Sequence, residues 1–373
     1  MNNVRILVIG TDKSILEEGS VPQKRQVEYF KNFELADVLI LGVGKVVNIN
    51  SGNTNIYSYG ELSKFKNILR AFLYTCKTLN TKNYDVIYTQ DALYCGILGY
   101  LLTKFSNAKF VPQIHGDYLD NPLWINQRRE NKILNIVGIW LAKHADYVRC
   151  VSKRIVKQFH EQYKIPESKL VSLPIGIDGN AFNTIDALAP ESRKKQILFV
   201  GRIIPEKEPL FFAELTIPVL QKYPDFSVVV IGEGDMKKNM VAMYEKAGVL
   251  DRVEFTGFLN PMQLARYYKS AFAYVKTAFW EGWGLPMVES SACGLPCIST
   301  DTGCAGEVIL DRVNGRAIDS RNAKDFTDAL FEIIENKELY KSMCEKAGAL
   351  ATEWTFVSMR EKIEKFLVNA KEN

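Results

Sequence analysis

Short runs of β-branched and apolar residues alternate with longer helical patterns along this 373-residue chain. This alternation is typical of parallel sheets built from β-α-β units. The pattern restarts near residue 195, after a segment rich in the turn residues of a linker. Because the chain is also long enough for two hydrophobic cores, we predict two doubly wound α/β domains. The candidate strands are residues 5–9, 37–41, 86–89, 110–114, 147–151 and 169–172 in the first half, and 196–200, 227–231, 252–256, 271–275 and 296–299 in the second.

The predicted Rossmann-like domains are residues 1–190 and 191–352. In doubly wound sheets, ligands bind at the carboxyl ends of the strands. We therefore expect the two domains to face each other across a cleft that holds the ligands.

Composition places the chain among soluble globular proteins, with 47% hydrophobic and 24% charged residues. No apolar run approaches the ~18 residues that a membrane span needs. The seven cysteines have no regular spacing, which favours reduced thiols and a cytoplasmic location. Cys293, Cys297 and Cys304 lie close together, but no Cys-x-x-Cys pair or nearby histidine supports a metal site.

Charge is shared unevenly along the chain. Residues 1–190 carry 23 Lys and Arg against 17 Asp and Glu, a net charge of +6. This bias is compatible with an anionic acceptor or an anionic lipid surface. It is too weak to indicate a nucleic-acid partner, and no nucleic-acid motif accompanies it.

The strongest local signal is residues 279–289, Phe-Trp-Glu-Gly-Trp-Gly-Leu-Pro-Met-Val-Glu. Pro286 favours the first position of a helix, so Glu281 precedes a glycine loop and Glu289 lies in the first helical turn. The backbone N–H groups around Gly284 and Leu285 can then point at an anion. Because carboxylates accept hydrogen bonds from hydroxyls but repel phosphate, this arrangement suggests a nucleotide sugar. The alternative is a simple turn with two solvated glutamates.

Two cations follow the strand predicted at 196–200. Gly201 and Arg202 come directly after it, and Lys207 follows five residues beyond Arg202. Both cations can reach a pocket at this edge and stabilise negative charge that develops on a departing diphosphate. The alternative is a surface arginine and a lysine paired with Glu206.

Glycines also end the strands predicted at 227–231 and 252–256, namely Gly232, Gly234 and Gly257. Each allows either a close approach of ligand to backbone or a tight turn. Glu289, in the following helix, is similar in role to the acidic residue that binds ribose hydroxyls in dinucleotide-binding folds.

The first half offers two weaker candidates. His115 closes the strand at 110–114, where an imidazole can donate a hydrogen bond to a sugar hydroxyl or to charge at the reacting centre. A structural histidine is the alternative. Gly19 and Ser20 precede a helical pattern and form a candidate loop for a diphosphate or an acceptor.

Several competing motifs are absent from the sequence. No Gly-x-x-x-x-Gly-Lys-Ser/Thr loop, no Gly-x-Gly-x-x-Gly after the first strand and no Gly-x-Ser-x-Gly elbow occurs. An Asp-x-Asp pair that holds a metal on a diphosphate is also absent. We therefore expect no cofactor and no metal, with the diphosphate bound by Arg202, Lys207 and backbone N–H groups.

Together these motifs resemble glycosyltransferase family 4, retaining enzymes of the GT-B fold. The likeness is strongest over residues 196–318 and thinner in the first half. A Gly-Gly pair that many members carry near the start is here Gly19-Ser20. The matching segments are Gly-Arg with the later lysine (201–207), Ile-Gly-Glu-Gly (231–234), Val-Glu-Phe-Thr-Gly (253–257), Glu-Gly-Trp-Gly-Leu-Pro-Met-Val-Glu (281–289), Cys-Gly-Leu-Pro (293–296) and His-Gly (115–116).

The resemblance implies a role for each matching residue. It implies contacts of Glu281 with the donor sugar, Glu289 with the ribose, Arg202 and Lys207 with the diphosphate, the Gly284-Leu285 backbone with phosphate or sugar, and His115 with the transferred sugar across the cleft. It also implies retention at the anomeric carbon by same-face attack. A C-terminal helix, residues 353–373, would pack back on the N-terminal domain.

We therefore expect a hexose-type sugar to move from a UDP- or GDP-sugar to a glycan or lipid-linked acceptor, in cell-surface polysaccharide or glycolipid synthesis. A non-catalytic nucleotide-sugar-binding subunit and a nucleotide-sugar epimerase are the alternatives. Two basic amphipathic stretches, residues 61–81 and 126–143, indicate either ordinary solvated helix faces or peripheral contact with an anionic membrane at its inner face.

Overall fold

The computed structural model describes residues 2–42, 46–59, 82–183 and 186–372. The chain divides into a first unit, Met1–Gly176 with Phe356–Asn373, and a second unit, Ile177–Thr355. The division between the units thus comes after residue 176, whereas the sequence pattern placed the boundary at residue 190.

Eight described strands form the sheet of the first unit, in the order β3-β4-β2-β1-β5-β6-β7-β8. Neighbours run parallel except for β3 and β4, which form an antiparallel hairpin at one edge. The order reverses between β1 and β5. The strands are β1 (Asn2–Gly10), β2 (Phe33–Ile40), β3 (Val46–Ser51), β4 (Thr54–Tyr59), β5 (Val86–Thr89), β6 (Lys109–Ile114), β7 (Val148–Cys150) and β8 (Leu170–Ser172).

Helices cover the sheet of the first unit. They are α1 (Val21–Phe30), α2 (Tyr94–Thr103), α3 (Pro122–Gln127), α4 (Arg129–Lys143) and α5 (Lys153–Glu161), with a C-terminal helix described below. The predicted helical stretch 126–143 is divided at Arg128, whose extended backbone separates α3 from α4. The stretch 61–81 lies outside the described residues.

The second unit holds a six-stranded parallel sheet in the order β11-β10-β9-β12-β13-β14, which reverses between β9 and β12. Its strands are β9 (Gln196–Val200), β10 (Ser227–Ile231), β11 (Val253–Gly257), β12 (Ala273–Lys276), β13 (Cys297–Thr300) and β14 (Gly315–Ile318). Its helices are α6 (Gly179–Asn183), α7 (Pro209–Lys222), α8 (Lys237–Lys246), α9 (Pro261–Ser270), α10 (Leu285–Ala292), α11 (Ala323–Glu335) and α12 (Lys337–Ala351). Ligands of doubly wound sheets bind at such points of reversal.

The last helix, α13 (Phe356–Glu372), belongs to the first unit. It buries Ile363 and Leu367 completely. Arg360 forms an ion pair with Glu28 of α1 at 2.5 Å between Nη1 and Oε1. These contacts tie the end of the chain to α1.

The predicted doubly wound α/β class is confirmed, and the strands at 86–89, 196–200 and 227–231 have the predicted bounds. Strands β3, β4 and β14 were not predicted. Half of β3 consists of asparagine and serine, which are more typical of turns than of strands and which conceal it among loop patterns. Strand β14 is only four residues long and begins with glycine.

Candidate active site

A cavity in the second unit lies at the carboxyl ends of β9 and β12, where the sheet order reverses. Gly201 and Lys207 reach it from the segment after β9, and Glu281 and Gly284 from the glycine loop. The structure therefore brings together four of the residues predicted from the sequence. This is the position at which a doubly wound domain binds a nucleotide.

Lys207 and Glu281 form an ion pair inside this cavity. Lys207 Nζ donates to Glu281 Oε2 at 2.6 Å, and the two side chains are 27% and 20% exposed. Thr277 holds the lysine backbone, since its hydroxyl donates to the Lys207 carbonyl at 2.8 Å. Lys207 is therefore paired inside the cavity, with Glu281. A cation and a carboxylate in contact provide both a partner for phosphate and an acceptor for sugar hydroxyls.

Lys276, the last residue of β12, also lines the cavity and was not predicted. Its side chain is buried, and its Nζ donates to the Ala278 carbonyl at 2.9 Å and to Thr300 Oγ1 at 3.1 Å. Burial lowers the pKa of this lysine to about 8, although nearby Glu281 opposes that shift. The only sequence signal was a lysine at the end of an apolar strand, Ala-Tyr-Val-Lys.

Helix α10 begins at Leu285, one residue before the predicted start, because Gly284 is the N-cap. Gly284 has φ of +88°, and an added Cβ would lie 2.8 Å from Met287 Sδ, so only glycine suits this position. The N–H group of Leu285 and the helix dipole favour an anion here, whereas Pro286 has no N–H and the Met287 N–H donates to the Gly284 carbonyl at 2.9 Å. Since Glu289 is the fifth residue of α10, it lies in the second turn and not in the first as predicted.

Glu289 is half-buried and accepts a hydrogen bond from the Tyr268 hydroxyl at 3.2 Å. Burial raises the pKa of this carboxyl to about 7, because a charged carboxylate loses hydration there. Ligand hydroxyls that donate to the carboxylate would favour its charged form. The carboxyl is therefore suited to binding a diol near neutral pH.

This shifted pKa predicts a pH-dependent effect of Glu289→Gln on stability. Because the folded pKa of about 7 lies above the unfolded value, the stability that Glu289 contributes is complete below ~4.5 and is lost as pH rises through 7. We expect the neutral glutamine to raise the thermal midpoint by ~2–4 °C or more near pH 8 and by much less near pH 5. Thermal unfolding of both ligand-free proteins measures this. An equal difference at the two pH values would contradict the assignment.

The other residues predicted for the donor site lie outside the cavity. Arg202 is exposed, unlike Lys207, and does not line the cavity. Gly232 packs against the turn after β9, since an added Cβ would lie 2.0 Å from the Gly201 carbonyl oxygen. Gly234 approaches the Ile203 backbone in the same manner, and Gly257 accepts a hydrogen bond from the Gly232 N–H. These glycines thus shape the turns beside the cavity through backbone packing.

In the first unit, His115 lines a separate cavity at the end of β6. Burial lowers the pKa of its imidazole well below 6.5, and nearby Arg149 and Arg25 lower it further, so the ring is neutral. Gly19 has φ of +72°, and Ser20 is the N-cap of α1, where its hydroxyl accepts from the Gln23 N–H. The geometry of these two residues is that of a helix start.

Two general features of the described residues concern metals and membranes. No group of three or more His, Cys, Asp or Glu side chains among them is arranged to hold a metal ion. In the same part of the chain, every helix is too short or too polar to cross a bilayer.

Profiles of two sequence families match the chain. Residues 182–349 match the family described as Glycosyl transferases group 1, and residues 25–180 match the family described as Glycosyltransferase Family 4. The chain therefore belongs to the group 1, family 4 glycosyltransferases, and it is a transferase enzyme.

Solved structures and a curated relative agree with this membership. Sucrose-phosphate synthase from Thermosynechococcus elongatus superposes with a TM-score of 0.80 over 98% of both chains at 16% identity. HepE from Anabaena in complex with UDP and glucose superposes with a TM-score of 0.75, covering 98% of this chain and 100% of HepE at 17% identity. These similarities show the GT-B fold. The UDP-Gal:alpha-D-GlcNAc-diphosphoundecaprenol alpha-1,3-galactosyltransferase of Escherichia coli is 23% identical over 73% of this chain and 72% of its own length.

Proposed function

We propose that this glycosyltransferase moves a hexose-type sugar from a UDP- or GDP-sugar to a glycan or lipid-linked acceptor, with retention at the anomeric carbon. The observation that carries the proposal is the Lys207–Glu281 ion pair beside the start of α10, at the point of sheet reversal. The Escherichia coli relative, whose name specifies a UDP-linked donor and a diphosphoundecaprenol-linked acceptor, supports the substrate classes. We place the reaction in cell-surface polysaccharide or glycolipid synthesis.

The ion pair explains how the donor is held. A diphosphate entering the cavity replaces Glu281 as the partner of Lys207, because phosphate oxygens accept charge-assisted hydrogen bonds. Glu281 then turns its freed oxygen to a hydroxyl of the donor sugar. Arg202, which is exposed, adds a second cation to the diphosphate when the donor is bound.

The ribose of the nucleotide contacts Glu289, whereas the reacting sugar lies near Glu281. The carboxylate of Glu289 accepts the two ribose hydroxyls, and the Gly284-Leu285 backbone binds phosphate or sugar oxygens. Charge that develops on the departing diphosphate is stabilised by Lys207. The diphosphate takes the proton of the attacking acceptor hydroxyl, which attacks from the same face and retains the anomeric configuration.

Incubation with radiolabelled UDP- and GDP-sugars, with and without a lipid-linked and glycan acceptor panel, tests the proposal. We expect one donor to give a glycosylated product of retained anomeric configuration. We also expect EDTA to leave the rate unchanged, because lysine, arginine and backbone N–H groups meet the diphosphate charge. An inverted product would overturn retention, and loss of activity in EDTA with rescue by magnesium or manganese would overturn metal independence.

We further propose that α4 docks the enzyme on an anionic membrane surface. Six exposed residues follow helical spacing along one side of α4, and the first unit carries the basic half of the chain. The apolar members Ile133, Ile136 and Trp140 are 66%, 69% and 44% exposed. The basic members are Arg129, Lys132 and Lys143. An exposed apolar stripe flanked by cations fits the headgroup region of anionic lipid.

Co-sedimentation with lipid vesicles tests this surface. We expect wild-type protein to bind vesicles with about one third phosphatidylglycerol and to bind pure phosphatidylcholine much more weakly. Replacing both Ile133 and Ile136 by asparagine should weaken binding ~10-fold or more, since each isoleucine loses its burial in lipid. Val357→Asn, at an apolar residue of α13 that is 50% exposed, is the control. Equal binding by the double variant and the control would contradict the proposal.

A further inference from the structure

The cavity of the first unit lies where the order of its sheet reverses, between β1 and β5. Its volume is about 460 Å³. That volume is within the range of small-molecule sites and suits a sugar with one substituent. All of its lining residues belong to the first unit, and none of them lines the donor cavity of the second unit.

Arg149 of β7 forms the inner wall of this cavity and is only 3% exposed. Its guanidinium donates to the carbonyls of Leu173 and Pro174, both at 2.7 Å. It also donates to the Tyr88 hydroxyl at 3.0 Å and to Gln113 Oε1 at 2.6 Å. Every one of these partners is neutral. A buried cation held only by neutral groups still lacks a counter-charge, and buried charges in proteins are normally paired.

Arg25 of α1 is a second cation at the same cavity. Burial lowers the pKa of its guanidinium, nearby Tyr29 and Asp12 oppose that shift, and nearby Arg149 adds to it. Within the described residues Arg25 makes no ion pair or hydrogen bond that would fix its guanidinium. Arg25 and Arg149 thus line the same cavity, and two guanidinium groups at one cavity favour an anion there.

Two carboxylates also line the cavity, but both already hold backbone N–H groups. Asp12 is exposed and accepts from the Ser14 N–H at 3.1 Å. Asp91 accepts from the N–H groups of Leu93 and Cys95 at the start of α2. Neither forms an ion pair with Arg25 or Arg149 among the described residues. The remaining carboxylate oxygens suit the hydroxyls of a ligand.

His115 completes the wall as a hydrogen-bond acceptor. The side-chain amide of Gln113 turns its oxygen, Oε1, toward Arg149 Nη1 at 2.6 Å, because Nη1 can only donate a hydrogen bond. His115 Nε2, 3.0 Å from the same oxygen, therefore carries the hydrogen of the neutral ring and donates it. Nδ1 keeps its lone pair and can accept from a hydroxyl. This geometry gives His115 an accepting atom, whereas the sequence indicated a donor.

We infer that this cavity binds a sugar-sized group bearing an oxyanion, phosphoryl or carboxylate, and that this group belongs to the acceptor substrate. The oxyanion supplies the counter-charge for Arg149 and Arg25. Hydroxyls of the same group donate to Asp12, Asp91 and His115 Nδ1. The acceptor identity rests on the proposed transferase function, whereas binding of the anion does not.

Calorimetric titration of the full-length protein with glucose 6-phosphate, glucuronate and glucose tests the inference without any nucleotide. Arg25→Gln is the informative variant because no described contact is lost with the side chain. Lys24→Gln is its control. Lys24 is exposed on the same helix and lies outside the cavity, and this substitution also removes one positive charge. Arg149→Lys, checked for folding by its thermal midpoint, keeps the charge but loses the guanidinium fork. Lys207→Ala changes only the donor cavity, so it shows in which of the two cavities the sugar binds.

We expect at least one charged sugar to bind wild type and Lys207→Ala equally, with glucose ~10-fold weaker or worse. Arg25→Gln should weaken that binding ~10-fold or more, as the loss of a charge-assisted hydrogen bond implies, and Lys24→Gln should leave it unchanged. Tighter binding of glucose 6-phosphate identifies a phosphoryl group, and tighter binding of glucuronate a carboxylate.

Three results would overturn the inference: no binding of either charged sugar, equal binding by Arg25→Gln and Lys24→Gln, or loss of binding in Lys207→Ala. None of these results affects the proposed sugar transfer, which the labelled-donor incubation tests separately. If anion binding is found but no donor is used, the acceptor identity fails and the anion site stands.

Discussion

Replacement of Lys207 by alanine is expected to lower turnover by ~10²-fold or more, the typical cost of losing one transition-state donor. In the proposed mechanism, the change removes the cation that stabilises negative charge on the departing diphosphate. It also leaves Glu281 unpaired, 20% exposed and facing the same diphosphate, which it repels. Steady-state kinetics with the donor identified by the labelled-sugar panel gives the measurement.

A matched control is available in the same unit. Lys222 pairs with Glu335 at 2.7 Å, but both side chains lie on the surface and outside the donor cavity. Lys222→Ala should therefore have wild-type turnover. A Lys207→Ala enzyme with wild-type turnover would refute the assignment of the donor site.

The second large effect is expected at Glu281, where alanine should also lower turnover by ~10²-fold or more. Its carboxylate accepts from Lys207 at 2.6 Å, and in the proposed mechanism it also accepts from the donor sugar. The nucleotide does not include that sugar, and without Glu281 it no longer competes for Lys207, so the affinity for the free nucleoside diphosphate should not fall. Measuring both quantities distinguishes Glu281 from Glu289, whose replacement by glutamine should weaken nucleotide binding.

A double-mutant cycle separates the two roles of Glu281. Residues in direct contact give non-additive effects, so the Lys207→Ala, Glu281→Ala enzyme should be more active than the product of the single losses predicts. If Glu281 only positions Lys207, the double variant equals Lys207→Ala. A further loss in the double variant supports direct contact between Glu281 and the sugar. Strict additivity would contradict the ion pair as a functional unit.

Much of the second unit could be predicted from its sequence because β9 and β10 are short apolar runs followed at once by glycine turns. Their carboxyl ends locate Lys207, and the glycine loop locates Glu281. The ion pair itself could not be predicted, because a contact between residues 74 apart depends on the sheet order. That order, with β9 beside β12, is not visible in local patterns.

The residues that sequence reasoning missed are buried cations. Lys276 and Arg149 stand in strands, where a charged residue normally indicates a solvent-facing position. Each is buried because neighbouring strands and loops supply several neutral acceptors to its donors. Such a set of acceptors is assembled only by tertiary structure. The hairpin of β3 and β4 was missed for a different reason, since its asparagine and serine residues are typical of turns.

A crystal structure with a bound nucleoside diphosphate tests the central claim, that the cavity at the end of β9 and β12 holds the donor. The nucleotide is the one, among UDP, GDP and ADP, that most raises the thermal midpoint, since binding to the folded state stabilises it. We predict the diphosphate within hydrogen-bond distance of Lys207 Nζ and the Leu285 N–H, with the ribose hydroxyls on Glu289. A diphosphate bound instead between Arg25 and Arg149 of the first unit would contradict the account.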